Sequence, residues 1–127
     1  MMSKKFLVVD DSKIARQKLS EFIKELNFSV IHEAEDGVIA VERFKKIAYD
    51  YIIMDLEMPN MKGNEASKLM LEINPNINII LVTSIVDKKE LIGALKIGVR
   101  KILRKPVNFE MFAQAVKELE IKDKDER

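Results

Sequence analysis

The stretch Lys5-Phe-Leu-Val-Val-Asp10-Asp11-Ser12 decides the fold. Four apolar residues in succession, closed by two carboxylates, read as a strand buried on both faces that stops where charge begins. Ser12 then serves as a helix cap, and Ala15, Leu19, Phe22, Ile23 and Leu26 recur at intervals of three and four, the spacing of one helix face. The same unit returns along the chain. Tyr51–Met54 and Ile77–Thr83 are short, β-branched and almost continuously apolar, while Ser29–His32 and Lys101–Arg104 are weaker strands, shorter and more polar. Helical spacing links Val41, Phe44 and Ala48, then Ala66, Leu69, Met70 and Ile73, then Leu91, Ala94 and Leu95, and lastly Phe112, Ala113, Val116 and Leu119. Asn74-Pro75 and Gly98 end the third and fourth helices. Strands alternating with helices pair in parallel through right-handed crossovers, which predicts a doubly wound α/β sandwich with a five-stranded parallel sheet.

Composition narrows the classes further. The chain has 127 residues, 47% hydrophobic and 34% charged, a size that suits one hydrophobic core. No apolar run approaches the roughly 18–20 residues of a membrane-spanning helix. The N-terminus has an uninterrupted run of only four apolar residues before a carboxylate, too few for a signal peptide. Zero cysteines exclude disulfides, thiol catalysis and Cys-ligated metal. Lys+Arg 22 against Asp+Glu 21 leaves a net charge of +1 and no basic stripe for nucleic acid. A soluble cytoplasmic domain over residues 1–121 is expected, with the charged residues 122–127 fraying as a tail.

In an open parallel sheet, ligands bind outside the carboxyl ends of the strands. Those ends carry Asp10 and Asp11, Asp55, Thr83 with Ser84, and Lys105 before Pro106. Any one of them has an ordinary explanation: a carboxylate caps a helix, a threonine ends a strand, a lysine decorates a turn. Asp55 is harder to dismiss, because an apolar strand gains nothing from an isolated buried charge. Three carboxylates on one edge raise one another's pKa unless a cation or proton intervenes. Mg²⁺ takes oxygen ligands and accepts phosphate oxygens, and a carboxylate can act as a nucleophile. With Lys105 to neutralise a phosphoryl group and Thr83 to hydrogen-bond it, the set reads as a Mg²⁺ site that accepts a phosphoryl group on Asp55.

Val-Val-Asp10-Asp11-Ser12, Met-Asp55-Leu-Glu-Met-Pro59-Asn-Met-Lys-Gly63, Val-Thr83-Ser84 and Arg-Lys105-Pro106 together resemble the receiver domain of two-component response regulators, over roughly residues 4 to 121. The resemblance implies the flavodoxin-like strand order 2-1-3-4-5 and a phosphoacceptor role for Asp55 toward a histidine kinase's phosphohistidine or a phosphotransfer protein. It further implies that Asp11 and Asp55 bind Mg²⁺ directly, Asp10 largely through water, and Glu57 through its backbone carbonyl. Thr83 becomes the switch hydroxyl, Lys105 the phosphate-pairing lysine, and the bond before Pro106 is expected to be cis. No turnover of an external substrate is implied, only phosphoryl transfer to the domain itself and autodephosphorylation.

Two positions depart from the family pattern. Ile102 stands where an aromatic switch residue is common, and Lys62 replaces the Asp often found before Gly63. Output is expected by protein contact, of a chemotaxis type and as a monomer or weak dimer, through a surface around Ile92, Lys96, Ile102 and Phe109. Leu91 and Leu95 are expected to face the core beside them. The rival readings are a Mg²⁺-dependent phosphatase with an Asp nucleophile, a flavin carrier, and an unphosphorylated interaction module. The phosphatase needs a second Asp two residues after the first, where this chain has Glu57. His32 reads as a structural histidine, and the seven Met as core filler.

Overall fold

The computed structural model describes residues 4–84 and 87–125. Its elements are β1 (Lys5–Val9), α1 (Lys13–Glu25), β2 (Val30–Ala34), α2 (Gly37–Lys46), β3 (Tyr51–Asp55), α3 (Gly63–Ile73), β4 (Asn78–Thr83), α4 (Lys88–Ile97), β5 (Lys101–Arg104) and α5 (Phe109–Asp125). The strands form one parallel sheet in the order β2-β1-β3-β4-β5, as expected. Alternation within the apolar strands supplies two cores. Leu7, Val9, Ile52, Met54, Ile79 and Leu81 face α2, α3 and α4, whereas Phe6, Val8, Tyr51, Ile53, Ile80 and Val82 face α1 and α5. No described helix is long and apolar enough to cross a membrane.

The register sets the heights of the strand ends. Val9 pairs with Met54, so Asp10 comes level with Asp55. Asp55 pairs with Val82 and Thr83 with Arg104, which brings Thr83 and Lys105 to the same edge. The helix signals read as expected at three places. The Ser12 hydroxyl accepts from the Ala15 N–H, the third helix stops at Asn74, and Gly98 closes α4 in the left-handed region.

Other expectations are corrected. Leu69 and Ile73 of α3 are exposed, and the buried residues are Gly63, Ala66, Ser67, Met70 and Leu71. Small residues let this helix lie close to the sheet, with Met70 and Leu71 completing the buried face. On α4 the face toward the core is Leu91, Ala94 and Ile97, so Leu95, 54% exposed, points outward. Ala48 lies beyond the end of α2 and is exposed. Strand β2 runs to Ala34 rather than His32, because it follows β1 residue for residue from Lys5↔Val30 to Val9↔Ala34. Within the expected tail, α5 continues through Asp125, and Asp123 accepts from Asn78 at 2.9 Å and from Arg100 at 3.3 Å, while residues 126 and 127 lie outside the described residues.

Candidate functional site

Asp10 is the most deeply set of the acidic residues, only 1% exposed at the end of β1. One of its oxygens accepts from the Ser12 N–H at 2.9 Å and the other from the Lys105 ammonium at 2.9 Å. Asp55, 8% exposed, lies 3.5 Å from the same ammonium, and Asp11 is exposed at the rim. One carboxylate oxygen from each of Asp10, Asp11 and Asp55 falls within 4.8 Å of the others. Thr83 is buried at the end of β4, and its carbonyl accepts from the Lys105 N–H at 2.9 Å. The sheet register thus brings together the five residues that the sequence nominated, and the Lys105–Pro106 bond is cis.

Burial is the first cause that pushes the Asp55 carboxyl up, to about 6, and the neighbouring Asp10 charge adds to it. Lys105 pulls the other way without compensating. Burial also opposes the charge on Lys105, but its bond to Asp10 and its attraction to Asp55 outweigh this and hold its pKa above the ordinary value. Among the described residues, the edge therefore carries more negative charge than the Lys105 ammonium balances. Three hard oxygen donors at this spacing, short of positive charge, fit Mg²⁺.

Several supporting residues escaped the sequence reading. The Arg16 guanidinium donates to the Asp10 carbonyl at 2.7 Å and to Glu33 at 2.8 Å, clamping α1 to the end of β2. Asp36 caps α2 through the Ile39 N–H and also accepts from the Asn60 amide, each at 2.8 Å. A Cβ on Gly63 would stand 2.2 Å from the Asp55 carbonyl oxygen, so only glycine lets α3 start here. The Asp-Gly and Asn-containing turns were visible signals; their long-range partners were not.

Glu57 is exposed, with its carboxylate 3.8 Å from the Lys62 ammonium and outside the carboxylate group. His32 bonds to the Tyr49 hydroxyl at 2.7 Å, a structural partner. Ile92 is half exposed, Lys96 is exposed, and Ile102 packs partly buried against the α2–α4 core. Phe109 does not join them. Its ring meets Phe22 of α1 at 5.8 Å, because the start of α5 lies on the opposite face of the sheet from α4.

A doubly wound parallel sheet with paired acids, a buried strand-end Asp, a Thr and a Lys on one edge defines a phosphoacceptor switch. The chain belongs to the response regulator receiver domain family, whose model matches residues 6–117. Chemotaxis protein CheY of Thermotoga maritima is 35% identical over 105 residues, spanning 83% of this chain and 88% of that protein. Its counterpart in Halobacterium salinarum is 38% identical over 105 residues, with 83% and 87% covered. Among solved structures, Vibrio cholerae chemotaxis protein CheY4 superimposes with a TM-score of 0.85 at 27% identity, over 93% of this chain and 99% of that one. The chain is accordingly a phosphoacceptor domain of two-component signalling, and the acidic Asp group is where such domains bind Mg²⁺.

Proposed function

We propose that Asp55 accepts the phosphoryl group of a histidine kinase or phosphotransfer protein. An Asp55 oxygen attacks phosphorus, the P–N bond to the donor imidazole breaks, and the donor nitrogen leaves with the electron pair and takes up a proton. Mg²⁺, when bound, offsets the charge of the transferring group and the carboxylates. Asp11 and Asp55 would hold it directly, Asp10 largely through water, and residue 57 through its backbone carbonyl. Lys105, already held against Asp10 and Asp55, is placed to pair with a phosphoryl oxygen. Thr83 is placed at the same edge to hydrogen-bond it. Later attack of water on phosphorus returns Asp55 and releases phosphate, which ends the signal.

The observation that carries this reading is the buried Asp55, pushed up to about 6 by burial and by Asp10 and Asp11 against the pull of Lys105. Drawing the Thr83 hydroxyl toward a phosphoryl oxygen pulls on the segment from Ser84 to Lys89, of which Ile85 and Val86 lie outside the described residues, and then on α4. The partner-facing surface is therefore Ile92, Lys96 and Ile102, with exposed Leu95 beside them and Phe109 left out. The curated relatives named for chemotaxis favour a chemotaxis-type target, met in the cytoplasm. The test is labelling with acetyl phosphate and Mg²⁺. One acid-stable, base-labile phosphoryl group at Asp55, absent in Asp55→Asn, supports the assignment, and equal labelling of that variant refutes it.

A further inference from the structure

The loop from Leu56 to Lys62 is fastened at two points. At its far end the Gly63 N–H donates to the Leu56 carbonyl at 2.8 Å, and α3 starts in van der Waals contact with the Asp55 backbone. At its crest Asn60 adopts a left-handed backbone, φ 69°, and its side-chain amide donates to Asp36 at 2.8 Å. Beside that bond, a Cβ on Gly37 would lie 2.6 Å from the Met61 carbonyl oxygen, so the loop backbone rests directly on the start of α2. A helix cap needs only one carboxylate oxygen. Asp36, 7% exposed, gives one to the Ile39 N–H and the other to Asn60. Both bonds favour the charged form and hold its carboxyl below the usual range.

Between the two fastenings lies Glu57, whose exposed carboxylate is 3.8 Å from the Lys62 ammonium and whose backbone carbonyl is a Mg²⁺ ligand in the function proposed above. We propose that Asp36 and Asn60 form a positioning pair that sets the residue-57 backbone over the Asp10–Asp11–Asp55 group and thereby tunes Mg²⁺ affinity without touching the metal. The inference rests on the reading of that group as the Mg²⁺ site. Supporting hydrogen bonds of this kind typically change metal affinity by about 10–100-fold when removed. Asn suits the crest because its short polar side chain tolerates the left-handed region while still reaching a partner.

The test is calorimetric titration of the full chain with Mg²⁺, alongside melting without metal. Asn60→Gly keeps the left-handed backbone and removes the amide; its Mg²⁺ dissociation constant should weaken by roughly tenfold. The reciprocal exchange, Asp36→Asn with Asn60→Asp, leaves net charge unchanged. The side-chain carbonyl then present at position 36 can still cap α2, while the amide beside it donates to the carboxylate moved to position 60. Affinity should therefore return toward that of the parent. Unchanged Mg²⁺ affinity in Asn60→Gly overturns the proposal, as does an exchange variant that melts like the parent yet binds as weakly as Asn60→Gly. A parent chain that does not bind Mg²⁺ overturns the site reading itself, and is told apart by needing no variant.

Discussion

The two edges of the sheet treat charge in opposite ways. At the amino edge Asp50, Glu120 and Asp123 each have a donating partner. The Lys5 N–H donates to Asp50 at 2.8 Å, the Tyr51 hydroxyl to Glu120 at 2.5 Å, and Asn78 and Arg100 to Asp123. At the carboxyl edge Asp10, Asp11 and Asp55 crowd together, and among the described residues the Lys105 ammonium alone pairs with any of them, with Asp10 and Asp55. The same fold that satisfies one end leaves the other short of positive charge. Clustered like charge destabilises the native state until a cation or proton arrives, so the carboxyl edge is built to respond to ligands and the amino edge to hold α5 down.

The largest effect should come from the nucleophile. Asp55→Asn should abolish phosphoryl uptake while raising metal-free stability, since it removes one of the crowded charges; mass spectrometry after acetyl phosphate treatment and a melting curve check both. Gly63→Ala should be the most damaging single methyl group on this edge. With its Cβ placed 2.2 Å from the Asp55 carbonyl, we expect a loss of about 3 kcal/mol in denaturant unfolding, and weaker Mg²⁺ binding in whatever folds.

Mg²⁺ should separate the edges cleanly. At one hundred times its dissociation constant it should stabilise the parent by about 2.7 kcal/mol, and Asp11→Asn should lose most of that gain. A parent that melts identically with and without millimolar Mg²⁺ would remove the distinction drawn between the edges.

Proton binding gives a smaller version of the same contrast. Because the Asp55 carboxyl lies at about 6 when folded, above its ordinary 3.8, the native state holds a proton that the unfolded chain has already lost. Metal-free stability should therefore fall as pH rises from about 4 to about 6, by on the order of 1–2 kcal/mol once solvent screening is allowed for. Asp36, held below its usual range, acts in the opposite sense and only at lower pH, where protonation removes its contribution. Asp55→Asn should flatten the fall between pH 4 and 6; an unchanged slope would show that another group carries it.

The smallest effect belongs to the amino edge. Tyr51→Phe deletes the bond to Glu120 but keeps the ring stacked on Phe6 at 4.7 Å. It should cost about 1 kcal/mol and leave Mg²⁺ affinity untouched. A change in affinity would mean that the two edges are coupled through β3.

Much of this molecule could be read from the chain alone because burial writes a local pattern. Runs such as Phe6–Val9 and Tyr51–Met54 announce strands covered on both faces, and a carboxylate ending such a run marks the edge where ligands gather. Asp10, Asp11, Asp55, Thr83 and Lys105 were legible for that reason: each lies at the end of a strand, and parallel strands end on one side. Helix faces were less legible. Spacing picked out Ala66, Met70 and Ala94, which are buried, together with Leu69, Ile73 and Leu95, which are exposed, because several faces share the three-and-four interval and only what lies opposite selects one.

What only the tertiary structure decided is which distant groups meet. That Arg16 holds the Asp10 carbonyl, that Asn60 reaches Asp36, and that Phe109 sits with Phe22 follow from crossover direction and strand register. Periodicity within one element is a property of the chain itself, because neighbours along it share the same local geometry. Contacts between elements depend on angstrom-scale heights and rotations that become definite only when both cores are packed.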